Sequence, residues 1–243
     1  MSIPISSMSV QQYTFPAELE CRYLLQEPQH LGPNPLIVLA LHGYGSNPEV
    51  MLRLTSTLIG DQHVVASLQA PNQHYGNLGL PNSASVPAYN WGIRPHWESS
   101  VKLHHDMVHR TLADLRRRFD TAPDRCLLLG FSQPVGLNYR FAATHPGEVA
   151  GIIGICGGVP RDWEENKYQP VRAAVLHISR DQDEFYPLDV VSTFAERLKQ
   201  RASDVEFHLL PGPHRFPSKA SEIVRPWIER VFPRSKGFTA LKP

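Results

Sequence analysis

The sequence has no long hydrophobic run, few cysteines and almost no net charge. Its 243 residues include 24 Lys and Arg against 23 Asp and Glu, which gives a formal net charge of +1 with neutral histidines. A charge this close to zero supplies no strong field for a nucleic acid or an anionic membrane surface, so we expect neither as a partner. No run approaches the 18 apolar residues that a transmembrane helix needs, so we also expect no membrane span.

The start of the chain and its cysteines bear on the cellular compartment. The first ten residues, MSIPISSMSV, show neither the basic start nor the continuous apolar segment of a secretory leader, so we expect a cytoplasmic protein. Cys21, Cys126 and Cys156 cannot all pair, and each lies in or beside an apolar run without CxxC spacing. The pattern predicts three buried free thiols.

Apolar runs alternate with helical patterns along the chain, which predicts an α/β fold with a mostly parallel central sheet and helices on both faces. We interpret residues 1–243 as one such domain, because the length suits one and no linker is visible, with a frayed tail at 234–243. The predicted strands are Leu19–Leu25, Pro35–Leu41, Val64–Leu68, Cys126–Phe131, Gly151–Cys156, Ala173–Ile178 and Val205–Leu210. Helices are predicted to begin at Asn47-Pro48, to span about 101–119, to follow Pro187, and to span about 219–232 with a kink at Pro226.

The segment 71–99 differs from the rest of the chain. It is rich in Pro, Gly, Asn and Ser and contains four aromatic residues, Tyr75, Tyr89, Trp91 and Trp97, without sustained periodicity. Loops of this length in a compact domain are usually functional or disordered, and four aromatic residues argue against simple disorder. We therefore interpret this segment as a long loop that forms a lid or the wall of a pocket.

The stretch LLLGFSQPVG, residues 127–136, passes from a continuous apolar run into a serine flanked by small or conformationally special residues. A buried strand that ends in Gly-x-Ser-x-small and gives way to a helix is typical of a nucleophile elbow, here centred on Ser132. Pro134 stands where glycine is usual, but a proline in the first turn of a helix loses no hydrogen bond. Taken alone, the stretch also fits an ordinary connection between a strand and a helix.

A serine nucleophile needs a neutral imidazole to accept its proton and an acid to orient that imidazole. In chain order the acid is expected next, then the histidine, each in a loop after a later strand. The strand that ends HIS is followed by RDQDEFYP, where Asp181 and Asp183 both qualify as the acid. The strand VEFHLL is followed by PGPHRFP, which places His214 in a loop held by prolines. A solvated surface histidine is the alternative interpretation of His214.

The developing negative charge on the substrate oxygen needs backbone N–H donors, normally one after the nucleophile and one from the loop after an early strand. Residues 39–47, LALHGYGSN, end a strand in a glycine-rich turn that leads into a helix. That turn offers the Tyr44 amide beside the amide of Gln133. A glycine-rich connection without catalytic role is the alternative, and His42 is interpreted as a hydrogen-bonding residue that orders the loop.

The motifs HGYG, GFSQ, DEFYP and GPHRFP together resemble the phospholipase/carboxylesterase branch of the α/β-hydrolases, over about residues 35–232. This group includes small carboxylesterases and acyl-protein thioesterases. The resemblance implies an α/β-hydrolase fold, an oxyanion hole from the Tyr44 and Gln133 amides, and no metal or organic cofactor. For the acid, the DEFYP tail matches Asp183 and the distance from His177 matches Asp181; we choose Asp183.

A zinc site is the rival chemistry, because His105-Asp-Met-Val-His109 is similar to the zinc-binding pattern His-Glu-x-x-His. The aspartate is one methylene shorter than the glutamate that acts as base, and no third ligand is evident. We interpret the two histidines as a pair at the edge of the core and expect no metal.

The motifs together favour a serine hydrolase that cleaves small to medium acyl esters through a Ser132, His214 and Asp183 triad and an acyl-enzyme. Tyr89 and Trp91 are predicted to contact the substrate, a small-molecule ester. An acyl-protein or other thioesterase of the same fold is the first alternative, and a non-catalytic binding module on a hydrolase fold is the second. The residues leave the oligomeric state open, a homodimer included.

Overall fold

A mostly parallel sheet forms the centre of the computed structural model, which describes residues 9–32, 34–76 and 86–233. The strands within those residues are β1 (Tyr23–Gln26), β2 (Ile37–Leu41), β3 (Val64–Leu68), β4 (Asn72–Tyr75), β5 (Pro87–Asn90), β6 (Cys126–Phe131), β7 (Gly151–Ile155), β8 (Ala174–Arg180) and β9 (Val205–Leu210). Seven of them form the central sheet in the order β1-β3-β2-β6-β7-β8-β9. All neighbours in it are parallel except β1 and β3, which confirms the predicted sheet.

The inner strands are continuous apolar runs because both faces of the sheet are covered. Every residue of β2, IVLAL, is buried, which is the pattern of a parallel strand between two layers of helices. Strands β3, β6 and β9 coincide with their predicted bounds, and the other four predicted strands differ by one to four residues at an end. The largest difference is at the first strand, which begins at Tyr23 instead of Leu19. Leu19 is exposed and lies outside the sheet.

The helices are α1 (Pro48–Ile59), α2 (Trp97–Phe119), α3 (Gln133–Thr144), α4 (Leu188–Val191), α5 (Phe194–Lys199) and α6 (Ser221–Val231). Apolar residues of α1 and α6 pack on one face of the sheet, and those of α2, α3 and α5 pack on the other. The Asn47 side chain caps α1 by accepting the Val50 N–H at 2.9 Å, as predicted. The single helix expected after Pro187 is two short helices, and Pro226 lies inside α6, where a kink stays a prediction.

The interpretation of residues 71–99 as one long loop is wrong. Strands β4 and β5 form an antiparallel hairpin in which Asn72 lies opposite Asn90, and α2 already begins at Trp97. The hairpin was hidden in the sequence because β4 reads NQHY, with no apolar alternation, and depends on polar contacts such as Asn72 Nδ2 donating to the Asn90 carbonyl at 3.1 Å. Residues 77–85, and the predicted tail at 234–243, lie outside the described residues. A role for the hairpin as a pocket wall stays a prediction.

Two of the three cysteines are buried as predicted, and the third is not. Cys126 and Cys156 are buried, and burial raises the pKa of each thiol to about 12. Cys21 is exposed, because it precedes the short edge strand β1 instead of lying within a covered strand. In the described part of the chain, no helix is both long enough and apolar enough to cross a membrane.

Candidate active site

Ser132 occupies the sharp turn between β6 and α3. Its φ of 63° and ψ of −116° lie outside the conformations that L-residues prefer, so the turn is strained. The Ser132 N–H donates to the Ile155 carbonyl at 2.8 Å, which anchors the turn to the neighbouring strand β7. Gly130 leaves the necessary room, since a Cβ there would lie 2.9 Å from Asn138 Nδ2. The sequence motif therefore folds as the predicted strand, tight turn and helix.

The loops that follow β2 and β7 close around this turn through glycines. A Cβ on Gly157 would lie 2.6 Å from the Ser132 carbonyl oxygen and would also overlap the Val135 side chain. A Cβ on Gly43 would lie 3.3 Å from Ser132 Cβ. These close approaches hold the serine at the carboxyl edge of the sheet, where ligands bind in open α/β sheets.

The Ser132 hydroxyl begins a chain of two side-chain hydrogen bonds. His214 Nε2 lies 2.8 Å from Ser132 Oγ, and His214 Nδ1 lies 2.7 Å from Asp183 Oδ2. The carboxylate only accepts, so Nδ1 carries the proton and Nε2 is free to accept the hydroxyl proton. The Asp183 side chain is 1% exposed and the His214 side chain 10% exposed, so the chain of bonds is largely shielded from water.

The two aspartates after β8 have different partners. The second oxygen of Asp183, Oδ1, accepts the N–H groups of Phe185 at 2.9 Å and Tyr186 at 3.0 Å, which fixes the carboxylate plane. Asp181 Oδ1 instead accepts the Gly212 N–H at 2.7 Å and so joins the loop after β8 to the loop after β9. The structure brings Asp183, not Asp181, to the His214 imidazole.

Glu184 is a site residue that the sequence motifs did not indicate. Its Oε2 accepts the backbone N–H of His214 at 2.8 Å, and this hydrogen bond lowers the pKa of the Glu184 carboxyl. The only signal in the sequence is its place beside Asp183, which does not distinguish it from an ordinary exposed glutamate. Consecutive carboxylates thus bind the ring and the backbone of one histidine.

The loop after β2 is ordered by His42. The ring accepts the Ala70 N–H at Nε2, 3.1 Å away, and so Nδ1 carries the proton that it donates to the Gly43 carbonyl at 2.8 Å. Burial lowers the pKa of His42, which agrees with this neutral form. The expected role of His42 in ordering the loop fits these contacts. Tyr44 follows in this loop and is 59% exposed.

The amide of Gln133 is the first of helix α3. The first amides of a helix have no partner within it and lie at the positive end of the helix dipole. This amide follows Ser132 directly, and the Tyr44 amide follows Gly43, whose backbone approaches Ser132 closely. The role of these two amides as an oxyanion hole stays a prediction.

The aromatic residues predicted to contact substrate have different environments. Tyr89 is partly buried, and its backbone pairs with the Ser46 carbonyl at 3.0 Å and the Gly45 N–H at 2.9 Å. Its ring lies 6.1 Å from the His42 ring, beside the loop after β2. Trp91 is fully buried, and its indole Nε1 donates to the His42 carbonyl at 2.7 Å. The prediction that Trp91 contacts substrate is corrected, because none of its surface reaches the solvent; for Tyr89 it stays a prediction.

Comparison with known proteins identifies the family of the chain. A family model described as Phospholipase/Carboxylesterase matches residues 29–232. The chain belongs to the phospholipase/carboxylesterase family. Membership makes the protein a hydrolase of the esterase type. No curated protein matches the chain at a significant level.

Several solved structures share the fold of this phospholipase/carboxylesterase family member. A Bacillus cereus carboxylesterase is 14% identical with a TM-score of 0.68, over 87% of this chain and 95% of that chain. A Dyadobacter fermentans phospholipase/carboxylesterase is 18% identical with a TM-score of 0.66, over 87% and 98%. A Mesorhizobium loti carboxylesterase is 17% identical with a TM-score of 0.66, over 88% and 97%. The architecture is the α/β-hydrolase fold that the motifs implied.

The histidines of the rival zinc pattern lie on α2. His105 is nearly buried, and burial lowers its pKa to about 4. His109 is half exposed and lies 3.6 Å from Glu148 through its Nδ1. Within residues 9–32, 34–76 and 86–233, no group of three or more His, Cys, Asp or Glu residues is placed to hold a metal ion.

Proposed function

We propose that this family member is a serine hydrolase that cleaves carboxylic esters of small to medium acyl groups through an acyl-enzyme. One observation carries the proposal: the Ser132 hydroxyl, the His214 ring and the Asp183 carboxylate form an unbroken hydrogen-bonded chain with distances of 2.8 and 2.7 Å. The same hydrogen-bonded arrangement of serine, histidine and aspartate activates the serine in unrelated folds.

In the first step, Ser132 Oγ attacks the ester carbonyl carbon while His214 Nε2 accepts the hydroxyl proton. Asp183 holds the imidazole in the tautomer that leaves Nε2 free and stabilises the imidazolium that forms. The carbonyl oxygen becomes an oxyanion, which the Tyr44 and Gln133 amides stabilise. The imidazolium then gives its proton to the departing alkoxide, so that the alcohol leaves and Ser132 retains the acyl group.

In the second step, a water molecule repeats this sequence on the acyl-enzyme. His214 accepts one proton of the water as its oxygen attacks the acyl carbon, and the proton then returns to Ser132 Oγ as the carboxylic acid leaves. No step needs a metal or an organic cofactor, since a general base and fixed amide donors supply the chemistry.

A thioesterase is the second candidate, because the same chain of hydrogen bonds also serves when a thiolate is the leaving group. A chain-length series of p-nitrophenyl esters and a matched thioester separates the two candidates by their kcat/KM values. A binding module is the third, and it has no chemical need for Ser132, His214 and Asp183 to be hydrogen bonded together.

The proposal is tested with Ser132→Ala. The variant lacks the nucleophile, so turnover of p-nitrophenyl acetate is expected to fall by about 10,000-fold or more with folding unchanged. A fluorophosphonate probe is expected to label the parent protein at Ser132 and to leave the variant unlabelled. Ser99→Ala, at an exposed serine of α2, is the control and keeps full activity. A parent protein that neither turns over esters nor takes the probe contradicts the proposal.

A further inference from the structure

The two amides proposed to stabilise the oxyanion belong to separate elements, the loop after β2 and the first turn of α3. We propose that Trp91 and the side chain of Gln133 form a connection, here called the strut, that fixes the positions of these two amides relative to each other. Both would then be positioning residues for the reaction, which makes this inference rest on the proposed function. The strut is assigned from three hydrogen bonds and from the burial of the indole.

The side chain of Gln133 uses both of its polar ends on one dipeptide after β5. Its Oε1 accepts the Trp91 N–H at 2.9 Å, and its Nε2 donates to the Gly92 carbonyl at 2.7 Å. Each backbone partner can play only one part, so the side-chain amide has one orientation. Gly92 is itself confined, with φ of 143° and a position where a Cβ would lie 2.5 Å from the Ser100 side chain. The first residue of α3 is therefore tied to a backbone segment that has little freedom.

The indole of Trp91 carries the connection to the other amide. Its Nε1 donates to the His42 carbonyl at 2.7 Å, and the His42 ring donates to the Gly43 carbonyl at 2.8 Å. Tyr44, whose amide is the second proposed donor, is the next residue. A continuous series of hydrogen bonds and covalent bonds thus joins the residue after the nucleophile to the loop opposite it.

The burial of the indole explains why this connection can be rigid. Trp91 is fully buried, and its ring lies 5.6 Å from the His42 ring and 5.4 Å from the His104 ring. A hydrogen bond in such a site does not compete with water, and breaking it leaves a buried carbonyl unpaired. Backbone amides stabilise an oxyanion best when they are already held about 2.7–3.1 Å from the position that the oxyanion will occupy. The strut supplies that constraint.

Trp91→Phe tests the strut because it keeps an aromatic ring and removes the N–H to His42. We expect kcat for p-nitrophenyl acetate to fall by about 10- to 100-fold, with KM changed by less than about threefold. Trp163→Phe is a matched control: Trp163 is also fully buried, and its Nε1 donates to the Arg197 carbonyl at 2.8 Å. Its ring packs against Tyr139 and Tyr168. We expect Trp91→Phe and Trp163→Phe to lower the urea midpoint of unfolding by similar amounts, and Trp163→Phe to leave kcat unchanged.

A second variant tests the other half of the strut should Trp91→Phe fail to fold. Gln133→Glu keeps the backbone amide and the acceptor for Trp91 N–H, but a carboxylate cannot donate to the Gly92 carbonyl. We expect a loss of kcat similar to that of Trp91→Phe. We also expect the inhibition constant of phenylboronic acid, whose tetrahedral serine adduct places an oxygen at the amides, to rise by the same factor as kcat/KM falls.

Unchanged kcat in Gln133→Glu, or equal losses of kcat in Trp91→Phe and Trp163→Phe, overturns the strut. Boronate inhibition that stays constant while kcat/KM falls also overturns it, because the loss then lies outside the oxyanion hole. In each of these cases the parent protein still hydrolyses esters, so the proposed function stands. A parent protein without esterase activity or fluorophosphonate labelling removes the proposed function itself.

Discussion

Single residues at the site are held by more than one contact, and the strain at Ser132 shows why. A serine with φ of 63° and ψ of −116° persists only where its surroundings determine it. Ser132 is constrained here by the Ile155 carbonyl, by the close approach of Gly43 and Gly157, and by the His214 ring. Although Ser132 is the N-cap of α3, its side chain does not cap that helix, and its Oγ lies 2.8 Å from His214. The hydroxyl thus contacts the His214 ring instead of making the capping bond that serine commonly makes.

Replacing Asp183 or Asp181 with asparagine, which exchanges one carboxylate oxygen for an NH₂ group, distinguishes the roles of the two aspartates. Asp183→Asn removes the carboxylate that accepts from His214 Nδ1 and favours the wrong tautomer, so we expect kcat to fall by about 10,000-fold. Asp181→Asn keeps an oxygen that can accept the Gly212 N–H, so we expect a loss of less than about tenfold. Steady-state hydrolysis of p-nitrophenyl acetate by both variants is the measurement. Losses of equal size would contradict the assignment of Asp183 as the acid.

Secondary structure elements bring the site together because the strands that carry it are neighbours. Strands β6, β7, β8 and β9 are adjacent and parallel, so their carboxyl ends meet at one edge of the sheet. Ser132 follows β6, Asp183 follows β8 and His214 follows β9. The loop after β7 carries none of these three residues, and it passes Ser132 closely enough to need Gly157. Packing between these loops therefore sets how accurately the three side chains are placed.

Gly157→Ala tests that packing. The added Cβ would lie 2.6 Å from the Ser132 carbonyl oxygen and overlap Val135, so we expect the free energy of unfolding to fall by about 1–3 kcal/mol. Gly32→Ala is the control, because a Cβ there would meet no heavy atom within 4 Å. Urea unfolding of the parent and the two variants gives the comparison. The same stability for both variants would mean that the loop after β7 yields readily to the elbow.

At the scale of the whole molecule, buried histidines make stability depend on pH. Burial lowers the pKa of His105 to about 4 and that of His177 to about 3, and it lowers the pKa of the fully buried His104 well below its ordinary value. All three are neutral in the folded protein near pH 7. At lower pH the unfolded chain binds protons on these histidines that the folded chain does not bind. The free energy of unfolding therefore falls as the pH is lowered through that range.

The free energy of unfolding is expected to fall as the pH is lowered from about 6.5. In the unfolded chain, histidines become protonated near pH 6.5. Below that pH, each buried histidine lowers the free energy of unfolding by up to about 1.4 kcal/mol per pH unit. For His105 the loss continues down to about pH 4, the pKa of the folded state. Urea unfolding between pH 7 and pH 4.5 is the measurement. His105→Gln should reduce the slope by about one proton, and His30→Gln, at an exposed histidine, should leave it unchanged.

Local patterns were sufficient wherever an element depends on its own residues. The bounds of β3, β6 and β9, the Asn47 cap of α1 and the strand, turn and helix around Ser132 were predicted because apolar runs and special residues act over a few positions. The placement of His214 in a loop after a strand was predicted in the same way. The hairpin of β4 and β5 was missed because its strands pair through polar residues without an alternating pattern.

By itself, the sequence determined the fold class and the candidates for the nucleophile, the base and the acid, because these depend on residue types in a fixed order. The motif after β8 favoured Asp183 over Asp181, and only the tertiary structure shows that Asp183 is the one that reaches the His214 ring. It likewise decided that Trp91 is buried, that Cys21 is exposed and that Glu184 holds the His214 backbone. The physical reason is that these hydrogen-bond partners come from segments 30 to 82 residues apart, whose approach is set by the order and register of the strands.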